Sequence, residues 1–169
     1  MNTQPEEPLQ VRRAKRQDLA AISTLVQEVT PREAGATEPE VMDWLFGKGL
    51  WVADDGLCLR GVAAWQAENL VAVTDIYYVS APQPFPSAGG LLLEKIEAEA
   101  ALLMCEVNVL VLPRWTPAGV RAFLHDQGYE AKTLEALHRI WREVLQDFLT
   151  GDEDLMVKRL RDRMVMIPL

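Results

Sequence analysis

The sequence predicts an α/β fold with a mixed, mostly antiparallel central sheet and helices on both faces. Strand-like runs follow one another between residues 50 and 79, which favours antiparallel pairing, and strands then alternate with helices. The chain has 169 residues and is 49% hydrophobic, enough for one domain with a substantial core. We expect residues 1–8 to be a disordered tail and residues 9–169 to form a single domain.

The first part of the chain predicts one strand and two helices. Residues 9–15 form the first strand. Asp18 is a suitable N-cap for a helix in which apolar residues recur at three- and four-residue spacing. These apolar residues are Leu19, Ile22, Leu25, Val26 and Val29. A second, shorter helix is expected over about residues 39–47, where Gly47 begins a stop signal.

Three antiparallel strands are expected next, over about residues 50–54, 57–67 and 70–79. The dipeptide Asp55-Gly56 separates the first two strands and favours a tight hairpin turn whose two central residues have positive φ. The dipeptide Glu68-Asn69 marks the second turn.

A helix, a buried strand and another helix follow. The first helix is expected over residues 89–104. The nearly continuous apolar run at 106–112 predicts a strand that is buried on both faces. Thr116-Pro117 is a suitable helix start, with threonine as N-cap and proline in the first turn, and Gly128 is a suitable end.

The last part of the chain predicts an extra late helix and a final strand. The helix over residues 134–149 is amphipathic, and a short strand before it is an option. Its apolar face consists of Leu134, Leu137, Trp141, Val144, Leu145 and Phe148. We interpret this helix as a packing element, with an oligomer interface as the alternative. Residues 154–160 predict the final strand.

Composition narrows the classes of partner. The net charge of −8 and the pI near 4.8 argue against nucleic acid and anionic membranes and favour amine-bearing partners. The first ten residues are polar and no apolar run approaches the ~20 residues that a membrane span needs, so we expect a cytoplasmic protein. His125 and His138 are isolated, and no metal site is expected.

The segment between the strand 70–79 and the following helix has the layout of an anion site. Glycines at a helix start present main-chain N–H groups to a phosphate, and Gly89-Gly90 occupies that place. The loop itself contains Pro82, Pro84 and Pro86, which have no N–H to donate. Gly89-Gly90 therefore has two interpretations: it binds phosphate, or it lets the helix start pack closely against the sheet.

Three polar side chains in the strand 70–79 are catalytic candidates. Asp75 lies in an otherwise apolar strand, on the predicted side of Val73 and Tyr77, where a carboxylate can take a proton from an ammonium. The alternative is an aspartate that is paired or exposed at the rim of the sheet. Tyr77 and Tyr78 are candidates to line a cleft or to protonate a thiolate, or they simply pack.

The element order resembles that of the GNAT superfamily of acyl-CoA-dependent N-acyltransferases over nearly the whole chain. In that family a strand ending in valine is followed by a loop of pattern Arg/Gln-x-x-Gly-x-Gly/Ala and a helix. Val79 matches the valine, Gly89 matches the final Gly/Ala, and residues 92–94 match the continuation of the helix. Residues 120–130, VRAFLHDQGYE, are similar to the family's helix before Gly-Phe/Tyr.

The sequence departs from the family pattern at the positions of several polar groups. Pro84 stands at the basic or amide position of the loop, and Phe85 and Ser87 stand at positions where the loops of the family often have glycine. Pro117 stands where the family often has a cofactor-contacting asparagine. Leu124 stands where the family often has the tyrosine that protonates the leaving thiolate.

The resemblance implies an N-acetyltransferase that moves an acyl group from acetyl-CoA or another acyl-CoA to a primary amine by direct transfer. It implies that the Val79 N–H orients the thioester carbonyl, that Asp75 deprotonates the amine, and that Tyr78 is a weaker candidate for the acid. The implied phosphate-binding residues are Ser87, Ala88, Gly89, Gly90 and Leu91. No metal is implied.

A second hypothesis comes from the departures in the loop and in the later helix. The chain would then be a GNAT-like domain without transfer activity that serves as a binding or regulatory module. The resemblance leaves open whether the acceptor is a small molecule or a protein, and whether the chain forms the homodimer that is frequent in the family.

Overall fold

The computed structural model describes residues 8–80 and 88–162 of the chain. Its strands are β1 Gln10–Arg13, β2 Gly49–Asp54, β3 Leu59–Glu68, β4 Val71–Val79, β5 Val107–Pro113, β6 Glu130–Lys132 and β7 Glu153–Arg159. Its α-helices are α1 Leu19–Val29, α2 Glu38–Gly47, α3 Gly90–Leu102, α4 Ala118–Asp126 and α5 Arg139–Leu145. The predicted disordered tail lies outside the described residues except for Pro8.

The strands form one seven-stranded sheet in the order β1-β2-β3-β4-β5-β7-β6. The pair β4–β5 is parallel, whereas β1–β2, β5–β7 and β7–β6 are antiparallel. The predicted mixed, mostly antiparallel sheet is therefore confirmed, and so is the predicted element order with its extra late helix.

The chain divides into two compact units, one of residues 1–64 and 78–93 and the other of residues 65–77 and 94–169. The expectation of a single domain over 9–169 stays a prediction. In the first unit, α1 packs against α2 and buries Ile22 and Val26 completely.

An ion-pair cluster ties the start of the first unit together, and it corrects the prediction for Asp18. The Arg12 guanidinium contacts Asp18 at 2.8 Å and Asp54 at 2.8 Å. The Asp18 carboxylate also accepts the Lys15 N–H at 2.7 Å and makes no capping bond to α1. A short 3₁₀ turn over Arg16–Asp18 precedes α1, so the carboxylate is directed back toward β1.

The core of the second unit lies between the sheet and α5. Its members are Val71, Val73, Val107, Val109, Val111, Leu137, Trp141, Val144, Leu145, Leu155 and Val157. Val73 belongs to this core. The adjacent Thr74 faces the other side of the sheet, where hydrogen bonds through Asn108 and Tyr129 connect it to Glu97 of α3. Helices therefore cover both faces of the sheet in this unit, as predicted.

The late helix is shorter than predicted. Residues 134–149 form a 3₁₀ turn over Leu134–Ala136, then α5, then a second 3₁₀ turn over Gln146–Phe148. Leu137 is extended (φ −86°, ψ 155°), and the His138 ring accepts the Ile140 N–H at 3.4 Å to begin a new helix. Side-chain periodicity does not report such a break.

Two turns and one helix start also differ from their predictions. In the Asp55-Gly56 turn only the glycine has a positive φ, and the second turn has positive φ at Asn69 and Leu70, one residue later than expected. Thr116 is not the N-cap of α4, because its hydroxyl donates to Pro113 O at 2.6 Å and α4 begins after Pro117.

The predicted stop of α4 at Gly128 is confirmed. Gly128 has φ +92°. The Tyr129 N–H donates to Leu124 O at 3.0 Å, which closes the end of the helix. Among the described residues, none of the helices combines the length and the apolar character that crossing a membrane requires.

Candidate functional site

β4 and β5 pair over only part of their lengths. Their parallel register ends at the pair Thr74 and Leu110, although both strands continue beyond it. The rest of β5 keeps its antiparallel pairing with β7. Within the described part of the chain, the parallel pairing of β4 with β5 is thus not continued over residues 75–77.

Val79 ends β4 with its N–H directed away from β3. The next residue, Ser80, donates its N–H to Arg60 O at 2.9 Å, which identifies the edge that faces β3. Successive N–H groups of a strand point to opposite edges, so the Val79 N–H points to the other edge. This direction is the one that its predicted role as donor to a thioester carbonyl requires.

Gly61 allows the first turn of α3 to approach β3 closely. A Cβ on Gly61 would lie 2.9 Å from Leu92 Cδ1 and 3.3 Å from Tyr78 O. A contact under 3 Å forces the Leu92 methyl to move, and because Leu92 is fully buried, glycine favours this spacing. The sequence analysis did not identify Gly61, because its partner is 31 positions away in the chain.

Four of the predicted phosphate-binding residues, 88–91, are described by the structure and lie at the start of α3. Ala88, Gly89 and Gly90 are buried and Leu91 is half-buried. The N–H groups in the first turn of a helix have no partner within the helix, so this segment can donate to an anion. Burial of both glycines is equally what close packing against the sheet requires, so both interpretations remain.

The prediction for Ser87 lies outside the described residues. The same is true of the departures from the family pattern at Pro84 and Phe85 and of the prolines at 82 and 86.

Asp75 and Tyr78 are the two partly exposed residues of β4. The residues between them, Ile76 and Tyr77, are both buried. The Tyr77 hydroxyl has no hydrogen-bond partner among the described residues, and burial raises the pKa of Tyr77 far above its usual range. Tyr77 is thus a neutral core residue, which leaves Tyr78 as the accessible tyrosine of the strand.

The positions on α4 that correspond to the family's polar residues hold no proton donor. Leu124 is fully buried and Pro117 precedes the first turn of the helix. His125 is largely exposed and lies 3.9 Å from Asp126, which agrees with its interpretation as a surface residue.

A buried chain of hydrogen bonds, which we call the Tyr129 network, was missed by the sequence analysis. Thr74 Oγ1 donates to Asn108 Oδ1 at 2.9 Å, and Asn108 Nδ2 donates to the Tyr129 hydroxyl at 2.8 Å. That hydroxyl donates to Glu97 Oε1 at 2.8 Å. The Lys158 ammonium completes the chain with contacts of 3.1 and 3.0 Å to the two Glu97 oxygens.

The Tyr129 network joins four elements at the point where β4 leaves β5. It links β4, β5, α3 and β7 through Tyr129, which is fully buried. Burial, reinforced by the negative charge of Glu97, raises the pKa of Tyr129 well above its usual range, so the hydroxyl keeps its proton. A signal existed in the sequence: Thr74 and Asn108 are polar residues inside apolar strands.

A groove of about 800 Å³ lies elsewhere in the second unit. Its lining includes Gly128, Lys132, His138, Trp141 and Arg159. None of the predicted site residues lines it. Among the described residues there is no group of three or more His, Cys, Asp or Glu side chains that could hold a metal ion.

No protein-family model matches this chain, and no curated protein matches it. Solved structures do match it. The first is N-acetylglutamate synthase from Neisseria gonorrhoeae in complex with coenzyme A and N-acetyl-glutamate, with a TM-score of 0.70 and 14% identity. The match covers 92% of this chain but only 36% of that protein.

Two further structures match over nearly their whole lengths. The PaiA N-acetyltransferase from Thermoplasma acidophilum in complex with coenzyme A has a TM-score of 0.69 and 13% identity, covering 90% of this chain and 99% of that one. The ribosomal-protein-S18-alanine N-acetyltransferase from Escherichia coli has a TM-score of 0.69 and 14% identity, covering 95% and 99%.

These similarities define the class of fold. The strand order, the parallel β4–β5 pair and the helix that follows β4 are those of the GNAT fold, as the sequence analysis predicted.

Proposed function

We propose that the protein is an N-acyltransferase that moves an acetyl or other acyl group from acyl-CoA to a primary amine. The observation that carries the proposal is the end of the β4–β5 pairing at Thr74 and Leu110, beyond which β4 continues to Val79. The direction of the Val79 N–H and the likeness to acetyltransferases solved with coenzyme A support it.

The acyl-CoA would bind along β4 and end at the start of α3. Its amide groups would pair with main-chain groups of β4, and the Val79 N–H would donate to the thioester carbonyl oxygen. The pyrophosphate would accept hydrogen bonds from the N–H groups of residues 88–91. The start of a helix carries roughly half a positive charge, which favours an anion there.

The reaction needs no covalent intermediate on the protein. The amine nitrogen attacks the thioester carbon, the C–N bond forms, and the C–S bond breaks to release the CoA thiolate. Asp75 would take the proton of the incoming ammonium, directly or through water, and the Tyr78 hydroxyl would protonate the thiolate. The second proton that the amine nitrogen loses on becoming an amide would pass to the Tyr78 oxygen and restore its hydroxyl. Holding both reactants in line supplies much of the rate enhancement.

The acceptor is proposed only as a class, the primary amine of a small molecule or of a protein. The negative charge of the chain suits such cationic acceptors. Homodimerisation and a cytoplasmic location stay predictions.

A second candidate function is a binding or regulatory module without transfer activity. The observation that favours it is the burial of Leu124, since the family's usual proton donor has no counterpart there. The prolines of the loop point the same way, because each removes one N–H from a phosphate site.

Calorimetric titration with acetyl-CoA tests the cofactor site. The variant Gly89→Pro removes one N–H at the start of α3, and Gly119→Pro removes one from the first turn of α4 as a matched control. A hydrogen bond to a charged group contributes about 1.5–3 kcal/mol, so we expect Gly89→Pro to weaken binding roughly 10- to 100-fold and the control to leave it unchanged. No binding at millimolar acetyl-CoA would refute the proposal.

Release of free CoA thiol in the presence of an amine panel then separates the two candidates. We expect turnover that Asp75→Asn abolishes while acetyl-CoA binding is kept. The control Asp126→Asn removes an acid that is 80% exposed on α4 and should change nothing. Binding without turnover of any amine would favour the regulatory module.

A further inference from the structure

The groove of about 800 Å³ in the second unit lies where the core beneath α5 ends. Three of its lining residues, Leu137, Trp141 and Val157, are buried members of that core. Its other lining residues lie in or next to β6, β7 and the start of α5, and most of them are polar. We call this groove the α5 groove. Its volume is in the range of sites that bind small molecules, and it joins an apolar side to a polar one.

Arg159 faces the α5 groove from the covered face of the sheet. β7 directs Leu155 and Val157 into the core beneath α5, and side chains two positions apart in a strand share a face. The residue opposite Arg159 on β5, Val107, is also a core residue. An arginine therefore stands where the alternation along β7 places an apolar side chain, and it lines the groove.

The Arg159 guanidinium is the charged group of the groove that has no counter-ion in the described part of the chain. Lys132 Nζ is already paired with Glu130 Oε2 at 3.2 Å. Lys158 Nζ is paired with Glu97 Oε2 at 3.0 Å. Charged residues often protect the edge strand of a sheet, but β7 lies between β5 and β6 and has no such need. The groove thus keeps one uncompensated positive charge in a chain whose net charge is −8.

The indole of Trp141 adds a second donor without an acceptor. Trp141 lines the groove and is 5% exposed, and its Nε1 has no hydrogen-bond partner among the described residues. A buried donor without an acceptor is costly and uncommon in folded proteins. The His138 ring lies beside the indole, with 6.2 Å between the ring centroids, so the groove also has an aromatic wall.

We propose that the α5 groove binds an organic monocarboxylate with an apolar body. The carboxylate pairs with the Arg159 guanidinium, whose planar fork of N–H donors matches its two oxygens. The apolar body packs on Leu137, Val157 and Trp141, which the core already holds in place. One uncompensated positive charge suits a monoanion better than a phosphate ester, which carries up to two negative charges at neutral pH. None of the residues proposed for acyl transfer lines the groove, so this site does not depend on that function.

Proton–nitrogen NMR on the labelled full chain tests the site through the assigned indole N–H of Trp141. The probes are phenylbutyrate and octanoate, and their matched controls are phenylbutanol and octanol, which have the same apolar bodies without the charge. We expect at least one of the two carboxylates to shift the Trp141 signal saturably at millimolar concentration, while the indole signal of Trp51 in the first unit stays in place. No saturable shift with either carboxylate, or equal binding of the alcohols, would overturn the proposal.

Two arginine variants locate the binding of the carboxylate. Arg159→Gln keeps the length of the side chain but removes its charge, and we expect it to weaken carboxylate binding roughly tenfold or more in the same titration. Arg139→Gln is the matched control, because Arg139 lies on α5, has an 80% exposed side chain and does not line the groove. The control should leave the affinity unchanged. Equal affinities of Arg159→Gln and the unchanged chain would overturn the proposal, because the carboxylate would then bind elsewhere.

Discussion

Replacing Tyr129 by phenylalanine removes one hydroxyl from a fully buried site and leaves its packing almost unchanged. That hydroxyl accepts an N–H from Asn108 and donates to Glu97, both at 2.8 Å. In the variant the Asn108 side chain keeps its hydrogen bond from Thr74, and the Glu97 carboxylate keeps its contact with Lys158. Each also loses one bond, and the Asn108 amide is fully buried, so water cannot replace the bond lost there.

The expected loss of stability follows from these two bonds. A neutral hydrogen bond contributes about 0.5–1.5 kcal/mol net, and a bond to a charged group contributes about 1.5–3 kcal/mol. We therefore expect Tyr129→Phe to lower the free energy of unfolding by about 2–4 kcal/mol. Domains of this size have about 5–15 kcal/mol of stability in total, so the variant should fold but with a clearly lower midpoint.

Equilibrium urea unfolding followed by tryptophan fluorescence measures this change. The matched control is Tyr77→Phe, which removes a buried hydroxyl that has no hydrogen-bond partner among the described residues. We expect this control to be neutral or slightly stabilising, because no bond is lost. A loss under about 0.5 kcal/mol for Tyr129→Phe, or equal losses for both variants, would contradict the assignment of the network.

Three further predictions concern packing and pH. Gly61→Ala should lower the free energy of unfolding by about 1–3 kcal/mol, because its Cβ would lie 2.9 Å from a leucine methyl of α3, whereas Gly47→Ala, with open space around it, should not. Leu145→Ala, at a fully buried position of the core beneath α5, should cost about 2–5 kcal/mol in the same assay. The Cys58 N–H and other donors lower the pKa of Asp55 to about 2, below its usual value of 3.8. The stabilisation that the ionised Asp55 carboxylate contributes is thus present above pH 3.8 and is lost as the pH falls toward 2. When the free energy of unfolding is measured against pH, Asp55→Asn should therefore make it depend less on pH in that window.

Local patterns predicted most elements of the fold. The apolar run at 106–112 became β5, and the spacing of apolar residues found α1 and the packing face of α5. These features depend on neighbours within a few positions, which is the range that periodicity reports. Leu137 is extended and packs in a core formed with strands distant in sequence, so periodicity alone could not locate the break there.

Residues that act through distant partners could not be predicted in the same way. Asn108 lies within the apolar strand, and its use became visible only when the fold brought Tyr129 and Glu97 to it. Asp18 has the sequence of a helix cap but bonds instead to Arg12, because the strand carrying that arginine lies beside it. A polar side chain can hydrogen-bond to nearby backbone or to residues distant in sequence, and both of these side chains bond to the distant residues.

The position of β7 in the sheet has a consequence for folding during synthesis. β7 lies between β5 and β6, although it leaves the ribosome after both of them. Until residue 159 has emerged, β5 lacks a neighbour on one edge, β6 lacks the strand that it pairs with, and the face that α5 covers is incomplete. The sheet of the second unit can therefore be completed only after β7 has been synthesised. A nascent chain that stalls before residue 153 would expose unpaired strand edges, to which other chains and chaperones can bind.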